Sequence, residues 1–254
     1  MNKHSYKSLI AALIVFHLLW YGLSLWVNKE LLPSPKVVYQ CLPTAFSNQL
    51  GWHIFFSLKR IGIGLGISLI TGLLLGWLMG TFPFWNKLLD PLIYLTYPIP
   101  KLALLPLLML FLGLGEGSKI ALIITIILPQ MILSIRDAII SIPETYYQVY
   151  LCMGANSFER FKQITWPAIF FGIISTLRVS LGIAFSVLFF AENYGTEYGM
   201  GYFIMDAWLR MDYPMMYAGI LILSLVGLIL FGCLDYLLKK KTPEINYDNK
   251  QAQR

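Results

Sequence analysis

Hydrophobic residues run through this chain in long stretches separated by short polar segments. A helix needs about 20 apolar residues to cross the hydrocarbon core of a bilayer. Six stretches predict such helices: 9–27, 61–81, 91–112, 119–135, 169–190 and 215–238. The fourth is short, and the third is interrupted by YPIPKLALLP, which carries Pro98, Pro100 and Pro106. Broken helices at membrane depth survive only where protein or a water-filled cavity satisfies the freed backbone groups. The third span is therefore expected to face other helices or a pathway. The first run exceeds the about 7–15 apolar residues of a cleaved signal peptide and lacks a small-x-small site, so it predicts a retained first span.

Between the fourth and fifth runs, residues 136–167 read like soluble sequence. Gly154 can end a helix over about 144–153, because glycine adopts the left-handed conformation at a helix C-terminus. Asn156 can cap a second helix, with Glu159 three residues on completing a capping box. On a regular helical wheel Phe158, Phe161, Ile164 and Thr165 share a narrow apolar face, opposite Glu159, Lys162 and Gln163. Pro167 is expected to stop this helix where the fifth span begins. Such an amphipathic helix fits a groove on another protein or a flat position on the membrane surface; the residues alone support both.

Composition agrees with a membrane protein. The chain is 57% hydrophobic and 13% charged, against about 25% charged in soluble domains, and its mean hydropathy is +0.67. The net charge of +6 therefore bears on membrane orientation, with no nucleic-acid partner implied. Of the 19 Lys and Arg, Lys101 and Arg178 fall within spans. Lys29, Lys36, Lys59, Arg60, Lys119 and Arg210 flank one side, and the remaining eleven flank the other. Positive residues favour the cytoplasm, which places both termini and residues 136–167 inside. Cys41, Cys152 and Cys233 are isolated, as are His4, His17 and His53, so neither a disulfide framework nor a metal site is indicated. Gly64, Ser68, Gly72, Gly76 and Gly80 form a stripe at four-residue intervals. It suits a close helix contact, within this chain or between two copies, the former preferred. Residues 1–241 read as one membrane domain and 242–254 as a polar cytoplasmic tail.

Several segments resemble known ones. Gly154, Ile164 and Pro167 match the spacing of the cytoplasmic signature of bacterial ATP-binding-cassette (ABC) importer permeases, in which Glu-Ala-Ala is followed at fixed distances by Gly and by Ile-x-Leu-Pro. Here Gln148, Val149 and Tyr150 replace Glu-Ala-Ala, and Trp166 replaces the leucine. LLPSPKVV (31–38), LDPLIYLTYPIPKLALLPLLMLFLGLGEGSKI (89–120) and GMGYFIMDA (199–207) look like segments of the nitrate/sulfonate/taurine/bicarbonate group, in its order. The resemblance covers nearly the whole chain. It implies an all-α integral membrane protein with six transmembrane helices, the type I importer (MetI-like) permease fold and a cytoplasmic coupling helix.

It also implies partners: a dimer of separate ATPase subunits that bind ATP and Mg, an external solute-binding protein, and a second permease copy, all assembled on the bacterial inner membrane. This chain would then bind no cofactor and catalyse nothing. The resemblance assigns ATPase coupling to Gln148, Gly154, Ala155, Asn156, Phe158, Glu159, Phe161, Ile164, Trp166 and Pro167, and so favours the protein groove over the membrane surface. For the translocation pathway the candidates are Tyr97, Pro98, Pro100 and Lys101 in the broken span, Arg178 as an intramembrane charge, and Glu192 in the outer loop. The solute implied is small and anionic, of the sulfonate, nitrate or taurine kind; a vitamin precursor such as a thiamine pyrimidine is the alternative. GLGEGSK (113–119) lacks the spacing of a phosphate loop and follows no strand, so it reads as a tight turn. An ion-coupled carrier would call for paired repeats and deep carboxylates, and a membrane enzyme for clustered His, Asp, Glu or Cys; the sequence offers neither.

Overall fold

A computed structural model describes residues 3–27 and 30–240, and every regular element among them is helical. Lys29 and the tail 242–254 lie outside the described residues. The helices are α1 (Lys3–Trp26), α2 (Pro35–Ser47), α3 (Leu50–Thr81), α4 (Pro83–Leu95), α5 (Leu105–Leu112), α6 (Glu116–Ile140), α7 (Glu144–Cys152), α8 (Ser157–Arg160), α9 (Trp166–Ala191), α10 (Met200–Leu209) and α11 (Tyr213–Lys240). A 3₁₀ turn over Lys101–Leu104 leads into α5, and a π-helical turn over Phe161–Thr165 joins α8 to α9.

The expectation of six spans is corrected. Among the described residues four helices are long and apolar enough to cross a membrane: Leu50–Thr81, Glu116–Ile140, Ser157–Ala191 and Tyr213–Tyr236. Of the first expected span, the part counted among the described residues is the shorter apolar helix Ala11–Trp26, which lies within α1 (Lys3–Trp26). The third is divided by its prolines. Neither Pro98 nor Pro100 can donate a backbone hydrogen bond, and the helix is lost from Thr96 to Pro100. The piece beyond the break, Lys101–Leu112, is about 18 Å long at 1.5 Å per residue, well short of the about 30 Å hydrocarbon core. A second correction concerns Pro167, which does not stop a helix, since α8, the π turn and α9 form one continuous rod of 35 residues. A proline ring crowds the carbonyl four residues before it and removes one N–H. The wider π turn just upstream, where the Trp166 N–H reaches the Phe161 carbonyl, is where the helix absorbs this irregularity.

The described chain divides into two compact units, Met1–Ser57 with Thr196–Leu225, and Leu58–Gly195 with Val226–Arg254. In the first, the Trp20 Nε1–H donates to the Pro33 carbonyl at 3.1 Å, and the Trp20 and Tyr217 rings lie 6.3 Å apart. The start of α10 is tied to α3, with the Gly199 N–H 3.0 Å from His53 Nδ1 and the Met200 N–H 2.8 Å from Ser57 Oγ. Asp212 Oδ1 accepts from the Met215 N–H at 3.1 Å and caps α11.

In the second unit the core is formed by α6, α9 and the inner face of α3, around Ile61, Leu122, Ile127, Met131, Ile135, Ile173, Leu181 and Leu188. The glycine stripe lies against α6. A Cβ placed at Gly64, Gly72, Gly76 or Gly80 would come within 2.6, 2.6, 2.7 or 2.8 Å of Ile123, Met131, the Ile132 carbonyl or Ile139. The matched spacing of Gly64, Gly72 and Gly80 against Ile123, Met131 and Ile139 makes α3 and α6 parallel neighbours. The stripe is thus a contact within the chain, where the absence of side chains lets one helix settle onto its neighbour.

Candidate functional site

The insert between α6 and α9 is organised almost entirely by its own short-range bonds. α7 ends in a Schellman turn: Gly154 takes φ +79°, its N–H reaches the Leu151 carbonyl, and the Ala155 N–H reaches the Tyr150 carbonyl at 2.9 Å. The expected capping box is present, with Asn156 Oδ1 accepting from the Glu159 N–H and the Asn156 N–H donating to Glu159 Oε2, both at 2.8 Å. Arg160 Nη2 donates to Ser157 Oγ at 3.0 Å. The hydroxyls of Tyr147 and Thr165 lie 2.9 Å apart and join the two arms of the insert.

The single apolar face expected of residues 158–165 is divided in two. Ile164 and Thr165 are buried, and the Phe161 ring lies 6.5 Å from Trp77 of α3 and 6.4 Å from Trp166. Phe158 is 71% exposed. A regular wheel assumes 3.6 residues per turn, and the π turn breaks that phase. Tyr146, Val149 and Leu151 of α7 and Met153 just after it are also exposed, so the insert presents apolar side chains on a segment otherwise polar. Gln148, Gly154 and Pro167 are exposed and Ala155 half-buried. A groove of about 530 Å³ lies between Ile70, Leu73, Leu74 and Trp77 of α3 and Ser157, Phe158 and Phe161.

The opposite ends of the same helices hold a cluster of which the sequence singled out only Glu192. Arg60 of α3 donates to Glu116 at the start of α6 (Nη2–Oε1 2.5 Å, Nε–Oε2 3.0 Å) and to Glu192 at the end of α9 (Nη1–Oε1 2.5 Å). The Arg60 and Glu192 side chains are 3% and 1% exposed; Glu116 sits at the rim. Lys119, also buried, donates to the carbonyls of Leu114, Gly115 and Gly195 at 2.8, 3.1 and 3.0 Å. Gly113 and Gly115 of GLGEGSK form the turn that Lys119 closes, with Gly113 at φ +78°. In the sequence alone, Arg60 and Lys119 stand only as positive residues on the poorly charged side of the expected membrane. That surplus, next to Glu116 and Glu192, was the signal available.

The other pathway candidates are apart from this cluster. Tyr97, Pro98 and Pro100 lie in the non-helical break before Lys101, with Tyr97 exposed and the Lys101 ammonium 5.2 Å from the centre of its ring. Arg178 Nε lies 3.4 Å from Asp235 Oδ1 of α11, both half-exposed. Arg136 pairs with Asp90 and Asp137, which joins α4 to the insert end of α6. Arg210, just after α10, pairs with Asp206 of α10 at 2.6 Å. Among the described residues no group of three or more His, Cys, Asp or Glu could hold a metal ion, and Cys41, Cys152 and Cys233 are unbridged.

Comparison with known proteins adds three observations. Residues 69–243 match the family described as binding-protein-dependent transport system inner membrane component. Among individual proteins, the taurine transport system permease protein TauC of Escherichia coli is 28% identical over 242 residues, 92% of this chain and 88% of TauC. The formylaminopyrimidine transport permease protein ThiX of Halalkalibacterium halodurans is 27% identical, covering 92% of this chain and 95% of ThiX. Among solved structures, a chain of a bacterial ABC transporter that imports the acidic polysaccharide alginate superposes with a TM-score of 0.64 at 17% identity, over 94% of this chain and 97% of that one. That likeness concerns the fold.

Proposed function

This chain belongs to the family of binding-protein-dependent transport system inner membrane components, and from that premise we propose that it carries a small anionic solute of the sulfonate, nitrate or taurine kind across the bacterial inner membrane. It is a multi-pass ABC importer permease, in a family of transport proteins and not of enzymes. An ion-coupled carrier and a membrane enzyme are thereby set aside. The likeness to TauC supports the solute class. The comparable likeness to ThiX supports a pyrimidine vitamin precursor as the second reading.

Residues 1–241 act as the permease domain, ahead of a polar cytoplasmic tail. Both termini and the insert face the cytoplasm. Arg60 and Lys119, which counted against that orientation, are buried and bonded within the protein, which leaves Lys29, Lys36, Lys59 and Arg210 against eleven positive residues on the insert side. Two copies form the pathway, two ATPase subunits bind ATP and Mg beneath them, and an external binding protein delivers the solute. The insert couples to the ATPase through Gln148, Gly154, Ala155, Asn156, Phe158, Glu159, Phe161, Ile164, Trp166 and Pro167, with Phe158 facing the partner and Phe161 and Ile164 anchoring the helix from within. Tyr97, Pro98, Pro100, Lys101, Arg178 and Glu192 lie along the pathway, Arg178 and Glu192 each held in an ion pair.

The observation that carries this reading is the continuity of the capped insert with a membrane-length rod, Ser157–Ala191. A push on the insert reaches the pathway without crossing a flexible joint. ATP can shift the transporter only through a difference in binding free energy between its outward- and inward-open states, and a stiff lever transmits that difference. A photoreactive side chain at position 158 of the assembled transporter should crosslink to the ATPase. Crosslinks to lipid alone would overturn the assignment.

A further inference from the structure

Within Leu58–Gly195 and Val226–Arg254, the five cations Arg60, Lys101, Lys119, Arg136 and Arg178 are of two kinds. Arg60 holds Glu116 and Glu192, Arg136 holds Asp90 and Asp137, Arg178 faces Asp235, and Lys119 commits its donors to three carbonyls. Lys101 has no carboxylate partner among the described residues; its ammonium has only the Tyr97 ring, 5.2 Å away. A cation over an aromatic ring at a partly exposed site gains about 0.5–1 kcal/mol. The ring supplies no counter-charge, and the three N–H donors of the ammonium stay available.

An uncompensated charge at membrane depth is costly and marks a functional site by default. Lys101 also stands where the helix is broken, at the end of Thr96–Pro100, with Tyr97, Ile99 and Leu102 exposed around it. Non-helical backbone inside a bilayer belongs against protein or along a water-filled path. Arg178 differs in one decisive respect. An anion approaching it also meets the carboxylate of Asp235, 3.4 Å from the guanidinium, whereas an anion approaching Lys101 displaces nothing. We propose that Lys101, and not Arg178, is the residue that contacts the acidic group of the solute, and that this group is a small oxyanion. The inference rests on the anion-importer reading above and deepens it. A compact ammonium with rotatable donors suits a sulfonate or nitrate passing through, which must be met and then released.

The test uses the assembled transporter in lipid nanodiscs and follows its thermal unfolding midpoint with sodium methanesulfonate. Uncharged dimethyl sulfone and matched sodium chloride serve as controls. Methanesulfonate should raise the midpoint of the wild type, of Lys101→Arg and of Arg178→Gln, but not of Lys101→Gln. Lys101→Met, which keeps the apolar stem, stands in if the glutamine variant does not assemble, with the same expectation. An undiminished response without the Lys101 charge, a loss of response in Arg178→Gln, or no response in the wild type each overturns the inference. ATP-driven uptake of the cargo carried by the binding protein is measured in parallel. A wild-type transporter that takes up no anion overturns the functional reading itself, whereas normal uptake with unchanged KM in Lys101→Gln overturns only the role of Lys101.

Discussion

At one end of α6 and α9, Arg60, Glu192 and Lys119 are buried and bonded to charges or carbonyls on other segments, with Glu116 at the rim. At the other end, residues 144–166 expose Tyr146, Met153 and Phe158 and are held mainly by bonds between near neighbours in sequence. The first arrangement joins three helices and leaves little to offer a partner. The second keeps its own shape and leaves its apolar side chains open. Buried ion pairs are costly to form and seldom add net stability, but removing one partner is severe. Caps and turns contribute little each, yet they make a short helix rigid before anything binds it. One end thus holds the helices together, and under the proposed coupling role the other is the end to be gripped.

Breaking the held end should have the largest effect on the fold. Arg60→Gln strips Glu116 and Glu192 of their guanidinium and should destabilise the protein by about 3–5 kcal/mol, read as a fall in the thermal unfolding midpoint of the purified permease. Adding Glu192→Gln should recover part of the loss, and strictly additive losses would mean that the two side chains are not coupled. Next comes the packing that the held end organises. Gly76→Leu drives a side chain into the Ile132 carbonyl and Ile135 and should cost at least about 1–3 kcal/mol. Gly62→Ala, which meets nothing within 4 Å, should be neutral or stabilise by up to about 1 kcal/mol.

The gripped end should respond more gently in stability and more strongly in transport. Gly154→Ala has open space but must hold φ +79°, a cost of about 1–2 kcal/mol. Uptake should drop several-fold while the amount in the membrane stays constant. Asn156→Ala removes one half of the capping box, about 1 kcal/mol, with a smaller loss of uptake. Phe158→Asp should have the least effect on folding, within about 0.5 kcal/mol, and yet abolish co-purification of the ATPase. If it left ATPase binding intact, the contrast between the two ends would lose its functional meaning.

Legibility in the sequence tracks the range of each interaction. The helical membrane character, the polar insert, its glycine turn at Gly154 and the Asn156–Glu159 box could all be read directly, because burial tendency and capping depend on residues within one turn of each other. The sequence shows the third span broken at Pro98 and Pro100, yet its apolar composition over 91–112 still predicts a crossing; only backbone geometry shows that neither piece is long enough. The continuity of the rod through Pro167 depended on a π turn, which the spacing of apolar positions does not encode.

The partners of the charges needed the fold most of all. Arg60 and Glu192 lie 132 positions apart, and Arg178 meets Asp235 from another helix. Nothing local distinguishes such charges from solvated ones, because Coulombic pairing is decided by which helices become neighbours. The same holds for the glycine stripe, whose spacing announces a close contact while the identity of the facing helix, α6, emerges only when the chain is packed. Local stereochemistry and hydropathy were therefore available from the order of residues alone. The assignment of each charge, as paired with a carboxylate or left without one, came from tertiary proximity.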